Sequence, residues 1–274
     1  MILEIKNLTV EFLKSGGRRE VFAAVNSLDL GVSEGSFTAL VGESGSGKSV
    51  TALSICRLLK PYRMSGVIRF AAEQGKITDL FSCSERELSG IRGRKIGCVF
   101  QDPASSLNPL MKIGGQLDET YRAHFCSSPK ETRERSLAGL EAAKIKDPER
   151  VYRSYPHELS GGMKQRAMIA MALTPGPRFL IADEPTTALD GVTESEILQL
   201  LVNLKNEKSL TVLFITHNLP LAAAHADRIH VMQKGRLVET MKKEAEGFLP
   251  REVYSKRLFK AGFYGVNPKS FIEV

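Results

Sequence analysis

The sequence has no apolar run long enough to span a bilayer, and its four cysteines lie far apart without a Cys-x-x-Cys pair. The first absence argues against an integral membrane protein. The second argues against a metal knuckle or a redox motif and predicts free thiols in a reducing compartment. The stretch "MILEIKNLTV" carries charges at Glu4 and Lys6, so it lacks the apolar core of a secretory signal. We therefore expect a cytosolic protein.

The sequence contains no block of like charges, no internal repeat and no low-complexity segment. The 274 residues carry a net charge of +7, from 38 basic and 31 acidic side chains. A basic balance can favour nucleic acid or an anionic membrane surface. Because both signs are interspersed here, a solvated surface is the better interpretation, and we expect no nucleic-acid partner.

A glycine- and serine-rich stretch, "GESGSGKS", fits the pattern G-x-x-x-x-G-K-[ST]. It lies between a predicted strand (36–41) and a predicted helix (49–59), the context that favours a phosphate-binding loop over a surface turn. Backbone N–H groups and the helix start would converge on the anion. Lys48 should reach the β- and γ-phosphates, and Ser49 should coordinate Mg²⁺. The predicted nucleotide-binding residues of this loop are Gly42, Glu43, Ser44, Gly45, Ser46, Gly47, Lys48, Ser49 and Val50.

A pair of carboxylates follows another apolar segment, "FLIADEP", in which Asp183 and Glu184 come directly after four apolar residues. Ligands of open α/β sheets bind at the carboxyl edge of the strands. Asp183 is predicted to hold Mg²⁺, and Glu184 to orient or deprotonate an attacking water. A capping pair of acids is the alternative, which the presence of the phosphate loop disfavours.

The segment "LSGGMKQR" (159–166) places a serine and two glycines before a predicted helix, whose start would expose N–H groups to an anion. The chain already has a complete phosphate loop, so a second anion site needs another phosphate. The simplest assignment is that this second site binds the γ-phosphate of ATP held by a partner subunit. Ser160, Gly161 and Gly162 would receive it, and a plain helix cap is the alternative.

In this order and at these separations, "GESGSGKS", "LSGGMKQR" and "FLIADEPTTALD" resemble the ATPase subunits of ATP-binding-cassette transporters over about the first 240 residues. The "LSGG" signature is specific to that superfamily, and the resemblance implies an ATP hydrolase with ATP and Mg²⁺ as cofactors. It further implies that Gln101 touches Mg²⁺ and the attacking water, and that His217 contacts the γ-phosphate. By the same resemblance, Asp190 lies in the loop that crosses to the other subunit, and Phe22 stacks on adenine.

The segment "QDPASSLNP" (101–109) narrows the resemblance to the importer branch for oligopeptides, dipeptides, nickel and metal–chelator complexes. That branch implies two transmembrane permease subunits, an extracytoplasmic solute-binding protein and often a second, paralogous ATPase. We therefore expect a heterodimer at the cytoplasmic face of the inner membrane, although a homodimer and the choice of cargo stay open. Residues 101–121 should dock on the permease, with Lys112 and Asp118 exposed.

Two features depart from the family pattern. Asn218 stands where the family usually has aspartate, a change expected to be mild. The tail "PREVYSKRLFKAGF" only loosely follows the branch's usual histidine–proline–tyrosine–threonine segment. Some relatives carry a cysteine cluster near that tail, but this chain has no cysteine beyond Cys126, so no iron–sulfur cluster is expected.

The alternation of predicted strands and helices indicates an α/β fold with a mainly parallel sheet. With the resemblance, this becomes a P-loop NTPase (RecA-like) core with an antiparallel β part and an inserted helical subdomain. The expected ATPase domain covers residues 1–240, with its core at about 1–102 and 172–240. The helical signature subdomain is expected at about 103–171, and a C-terminal extension at 241–274.

Two other classes of function remain to be weighed. A cassette ATPase acting on nucleic acid in repair or translation usually has a long coiled coil or two cassettes, and this chain has neither sustained heptads nor a second cassette. A regulatory cassette that does not hydrolyse ATP would be expected to lack Glu184 or His217, and both are present.

Overall fold

The structure is a computed structural model, and it describes residues 1–13, 20–73, 76–187 and 189–263. The last part of the predicted C-terminal extension, residues 264–274, lies outside the described residues. The chain divides into two compact units. Unit 1 comprises residues 1–84 and the chain from Leu213 onward, and unit 2 comprises Glu85–Val212.

The described residues form ten strands and ten α-helices. The strands are β1 (Leu3–Leu13), β2 (Val21–Val32), β3 (Phe37–Val41), β4 (Arg63–Glu73), β5 (Lys76–Asp79), β6 (Ile96–Val99), β7 (Phe179–Asp183), β8 (Thr211–Thr216), β9 (Arg228–Gln233) and β10 (Arg236–Lys242). The helices are α1 (Lys48–Ile55), α2 (Glu85–Ile91), α3 (Pro103–Ser106), α4 (Ile113–Arg122), α5 (Pro129–Ala142), α6 (Pro148–Arg153), α7 (Gly161–Leu173), α8 (Gly191–Lys208), α9 (Leu219–His225) and α10 (Val253–Gly262). None of the helices in the described ranges is long and apolar enough to cross a membrane.

Unit 1 contains an antiparallel sheet with the strand order β2-β1-β4-β5. Alternate residues of β1 are fully buried, among them Leu3 and Ile5, because successive side chains of a strand point to opposite faces. The twelve-residue strand β2 was not predicted. Its second half alternates in the same way, with Leu28, Leu30 and Val32 buried.

The phosphate-loop candidate belongs to the second sheet of unit 1, in which β10, β9, β3 and β8 are neighbours in that order. Strand β3 pairs in parallel with β9 and all five of its residues are buried, as predicted for the strand that precedes the loop. Strands β9 and β10 form an antiparallel hairpin, with Lys234 and Gly235 both at positive φ in its turn. Positive φ at both central residues is the geometry that matches the twist of a two-residue hairpin.

Unit 2 contains the parallel strand pair β6 and β7 and the helices α2–α8. Two separate helices form between residues 113 and 145. Helix α4 ends at Arg122, and α5 begins after Ser128, whose side chain accepts a hydrogen bond from the backbone N–H of Glu131 at 3.2 Å. Pro129 at the first position of α5 lacks the N–H that a continuous helix would need.

Candidate active site

The loop between β3 and α1 takes backbone conformations that only glycine adopts easily. Gly45 and Gly47 have φ values of 75° and 103°, in the left-handed region that is unfavourable for residues with a Cβ. A Cβ on Gly47 would also lie 2.5 Å from the backbone oxygen of Ala24. The loop therefore needs glycine at position 47 for both conformation and space.

Two polar side chains inside the loop fit an anion. Lys48 is only 5% exposed, and its Nζ donates to the carbonyl oxygens of Gly42 (2.8 Å) and Glu43 (3.0 Å). The Oγ of Ser46 is buried and has no hydrogen-bond partner within the described part of the chain. A buried hydroxyl without a partner is costly, so the side-chain chemistry fits a bound phosphate.

The turn between β9 and β10 supports the phosphate loop through backbone hydrogen bonds. The backbone N–H of Gly235 donates to the carbonyl oxygen of Ser46 at 2.9 Å, and Asn26 of β2 donates to the carbonyl oxygen of Gly235 at 2.8 Å. Gly42 packs against the backbone oxygen of Met232 so closely that no Cβ would fit. Because backbone from β2, β9 and the turn supports it, the loop is held in its shape before any ligand binds.

Phe22 and His217, both in unit 1, are accessible. Phe22 lies on β2 and is 43% exposed, with its ring centroid 5.9 Å from that of Phe12, so it is a surface residue and not part of the core. His217 follows the fully buried strand β8 and is exposed. The next residue, Asn218, caps α9 by accepting a hydrogen bond from the N–H of Leu221 at 3.3 Å. Asparagine and aspartate cap helices about equally well, which explains why this departure is structurally mild.

Strands β6 and β7 bring Gln101, Asp183 and Glu184 to one edge of unit 2. The two strands run in parallel with Val99 opposite Ala182, so the residues that follow them emerge at the same carboxyl edge. Asp183 is buried at the last position of β7. Glu184 has a φ of 45° and accepts a hydrogen bond from the Thr187 hydroxyl at 3.1 Å. A left-handed conformation at a non-glycine residue stores strain of the kind that clusters at functional sites.

The signature segment begins a helix, as predicted, and Ser160 caps that helix, which is the alternative role given to it above. The Oγ of Ser160 accepts a hydrogen bond from the N–H of Met163 at 3.3 Å, and α7 begins at Gly161. A Cβ on Gly162 would lie 2.8 Å from the Cγ2 of Thr193, whereas the nearest atom to a Cβ on Gly161 would be 3.8 Å away. Gly162 is thus packed against α8, while a side chain at Gly161 would make only an ordinary van der Waals contact.

Asp190 caps the neighbouring helix α8. Its carboxylate accepts hydrogen bonds from the backbone N–H of Thr193 at 3.0 Å and from the Thr193 hydroxyl at 2.8 Å. The first of these bonds is the main reason why the pKa of Asp190 lies below its ordinary value. Thr193, which sequence reasoning missed, therefore contacts both the signature glycine and Asp190. Thr193 lies three residues after Asp190, which is the spacing at which an N-cap side chain bonds to the helix, and this spacing is the sequence signal that could have identified Thr193.

The prediction that Asp118 is exposed is wrong. Asp118 accepts hydrogen bonds from the hydroxyl of Ser136 at 2.6 Å and from that of Tyr152 at 2.7 Å. Burial, followed by these contacts with Asp118, raises the pKa of Tyr152 to about 12. Asp118 is therefore a structural link between α4, α5 and α6, and reversing its charge would disturb that packing. Lys112 is exposed as predicted.

A glycine loop after one buried strand, a carboxylate pair after another and a Ser-Gly-Gly helix start together define a P-loop nucleotide hydrolase with an α/β fold. A family model described as "ABC transporter" matches residues 25–187. The chain belongs to the ABC transporter family and is an ATP-binding, ATP-hydrolysing cassette.

Relatives with curated names support the same assignment. A putative peptide import ATP-binding protein of Brucella abortus is 44% identical over 263 residues, covering 95% of this chain and 77% of the relative. The oligopeptide transport ATP-binding protein OppD of Bacillus subtilis is 42% identical over 257 residues, covering 93% of this chain and 70% of OppD.

Solved structures agree on the fold. The ATP-binding cassette MJ0796, a dimer bound to ADP and Pi in a post-hydrolysis state, aligns with a TM-score of 0.76 at 32% identity, over 89% of this chain and 100% of that one. CbiO1 from Clostridium perfringens, part of the transporter complex cbiONQ, aligns with a TM-score of 0.71 at 26% identity, over 100% of this chain and 99% of that one. The predicted P-loop NTPase fold is confirmed.

Proposed function

We propose that this ATPase drives peptide import from the cytoplasmic face of the inner membrane, together with two permease subunits and an extracytoplasmic solute-binding protein. The observation that carries this proposal is the similarity to named peptide importers at 44% identity over 95% of the chain. The two relatives described above are named for peptides or oligopeptides, and neither name mentions nickel or a metal–chelator complex. We also propose that residues 103–171 form the helical signature subdomain of a core made by the rest of residues 1–240, with 241–274 as an extension.

The proposed roles in hydrolysis follow from the chemistry of each side chain. Lys48, Ser46 and the loop backbone bind the phosphates, and Phe22 stacks on the base. Glu184 orients or deprotonates the attacking water, and His217 contacts the γ-phosphate. At the start of α7, Ser160, Gly161 and Gly162 receive the γ-phosphate of the nucleotide held by the opposite subunit, with Asp190 beside them at the start of α8.

Three oxygen donors suit a magnesium ion. Ser49 offers a hydroxyl, Asp183 a carboxylate and Gln101 an amide oxygen, which are the hard ligands that Mg²⁺ prefers. When bound, Mg²⁺ supplies charge neutralisation to the phosphates. Within the chain itself, Asp183 is the last residue of β7, at the carboxyl edge where ligands of parallel sheets bind.

The docking surface for the permease is proposed at residues 101–121. Gln116, which is buried, accepts a hydrogen bond from the N–H of Asn108 at 2.9 Å and donates to the carbonyl oxygens of Asn108 and Met111, both at 3.0 Å. These bonds fix the loop that carries Leu110, which is 85% exposed. A large apolar side chain presented on a rigid loop is typical of a protein contact.

The test of this function is uptake by a strain that lacks the gene and is complemented with variants. Wild type should restore the uptake of a labelled oligopeptide, and Glu184→Gln should not. Leu110→Ser should lose uptake with ATP binding intact. Ile77→Ser, which changes an apolar residue on β5 that is 67% exposed, serves as the matched control. Restored uptake of nickel but not of peptides would refute the proposed cargo, and normal uptake with Leu110→Ser would refute the docking surface.

A further inference from the structure

The turn that carries Glu184 is closed by hydrogen bonds within itself. Glu184 follows β7 with a φ of 45°, a left-handed conformation that a residue with a Cβ keeps only when its surroundings hold it there. The backbone N–H of Thr187 donates to the carbonyl oxygen of Glu184 at 3.2 Å, and the Thr187 hydroxyl donates to the Glu184 carboxylate at 3.1 Å. Because these bonds join two ends of one turn, they fix its shape but do not attach it to another element.

Thr186, inside this turn, provides an attachment to helix α8. Its hydroxyl donates a hydrogen bond to the Oε1 of Glu194 at 2.8 Å. A hydrogen bond to a charged carboxylate is stronger than one between neutral groups. Thr186 is only 5% exposed, and such a bond is electrostatically stronger inside a protein than in water. The Glu184 turn is therefore tied to the first turn of α8.

Helix α8 is a firm point of attachment. Its buried residues are Ile197, Leu198, Leu200, Leu201 and Leu204. Near the start of the helix, Glu196 accepts a hydrogen bond from the guanidinium of Arg166 on α7 at 2.8 Å, and Thr193 packs against Gly162. The start of α8 thus contacts both the signature helix and the Glu184 turn, and all of these contacts lie within unit 2.

Glu194 also has a simpler structural interpretation. It is an acid in the first turn of a helix, where a negative charge interacts favourably with the helix dipole. That role depends on the charge, whereas the bond from Thr186 depends on an acceptor oxygen at the right place. Glutamine keeps the acceptor oxygen and lacks the charge, so the two roles predict different results for Glu194→Gln.

We propose that Glu194 is a positioning residue for Glu184, and that it acts by holding Thr186 and with it the turn from which the Glu184 carboxylate meets the attacking water. The proposal rests on the role in hydrolysis proposed above for Glu184. Glu194 acts on the turn and not on the nucleotide, so it sets the rate of the chemical step and not the affinity for ATP. A displacement of about 1 Å in a reacting group can slow a reaction by about a hundredfold.

The test measures ATP turnover in the assembled transporter, and the ATP dissociation constant and melting temperature of the full chain. Glu194→Ala removes the acceptor, and Thr186→Val removes the donor with little change of shape. Each should lower kcat about 10- to 100-fold and leave the ATP dissociation constant unchanged. Glu194→Gln should keep most of the wild-type kcat. Glu207→Ala, which removes an exposed glutamate from the last turn of α8, is the matched control and should leave kcat unchanged.

A double-mutant cycle tests whether the bond between the two side chains is responsible. Once Thr186→Val has removed the donor, adding Glu194→Ala should cause no further loss of kcat. The proposal would be overturned by additive losses, by a near-normal kcat in either single variant, or by a loss in Glu194→Gln as large as that in Glu194→Ala. A lower melting temperature in Glu194→Ala with unchanged kcat would assign Glu194 to the helix dipole alone.

Glu184→Gln tests the role of Glu184 separately. If that variant loses turnover while Glu194→Ala and Thr186→Val keep it, only the positioning role fails. If Glu184→Gln keeps near-normal turnover, the role of Glu184 in hydrolysis fails and the proposal fails with it.

Discussion

A negative charge at Gly161 should raise the stability of the protein and abolish its activity. Gly161 is the first residue of α7, and a Cβ there meets no atom closer than 3.8 Å, so Gly161→Asp introduces no clash. An aspartate in the first turn interacts favourably with the helix dipole, by about 0.3–1 kcal/mol. For a chain of this length, that free energy raises the melting temperature by about 1–4 °C.

The same charge should prevent a phosphate from approaching the start of α7. Two like charges about 4 Å apart repel by about 4 kcal/mol at an effective dielectric constant of 20. Because 1.4 kcal/mol corresponds to a factor of ten, hydrolysis in the assembled transporter should fall by up to about a thousandfold. Stability and activity are thus expected to change in opposite directions, which general damage to the fold cannot produce.

The assay compares Gly161→Asp with Gly161→Asn, which has nearly the same shape without the charge. Melting temperature is measured on the purified chain, and ATP turnover is measured in the assembled transporter. Gly161→Asn should retain much more activity than Gly161→Asp. Wild-type turnover by Gly161→Asp would refute the assignment of α7 as the receiver of the opposite subunit's phosphate, and a lower melting temperature would refute the helix-dipole argument.

Four further predictions follow from single side chains. Glu184→Gln should bind ATP but hydrolyse it about 10²–10⁴-fold more slowly in the assembled transporter, and near-normal turnover would contradict its role. Phe22→Ala should lose about 1–3 kcal/mol of binding free energy for ATP and GTP alike, with little change in melting temperature because Phe22 is a surface residue; a large fall in melting temperature with unchanged affinity would indicate packing instead. Mixing Lys48→Ala with Gly161→Asp chains should restore no activity in a heterodimer with a paralogue, so rescue would show a homodimer. Burial lowers the pKa of His230 to about 4, so stability should fall as the pH drops from 6.5 toward 4, by on the order of 3 kcal/mol; His230→Gln should remove this dependence, and an equally steep fall in that variant would assign it to other groups.

The parts of the site that could be predicted from the sequence are those whose cause is local. The glycines of residues 42–47, the strand before them and the helix after them lie within about twenty residues, and each has its own chemical reason. The signature helix begins where Ser160 can cap it, and α8 begins where Asp190 can cap it. Cap and turn signals of this kind need no knowledge of distant residues.

The parts that were missed depend on residues far apart in the chain. The apolar periodicity of residues 113–145 did not show the break before Pro129, because the residues on both sides of it fit a helix. Asp118 looked exposed because its partners Ser136 and Tyr152 lie on other helices. The space for a side chain at Gly162 is taken by Thr193 of another helix, and no local pattern predicts that packing.

The two glycines of the Ser-Gly-Gly segment show why the structure is needed to assign a reason to each residue of a motif. Gly162 has no room for a side chain, because Thr193 of α8 occupies the space where its Cβ would be. Thr193 in turn holds Asp190 through two hydrogen bonds, so the packing of Gly162 sets the position of a second helix start. Gly161 has room and an ordinary backbone, and a glycine in a helix is less stable than alanine by up to about 1 kcal/mol. Since the fold does not require glycine at position 161, we propose that this glycine serves the ligand, because a helix start without a side chain lets a phosphate approach the backbone N–H groups directly.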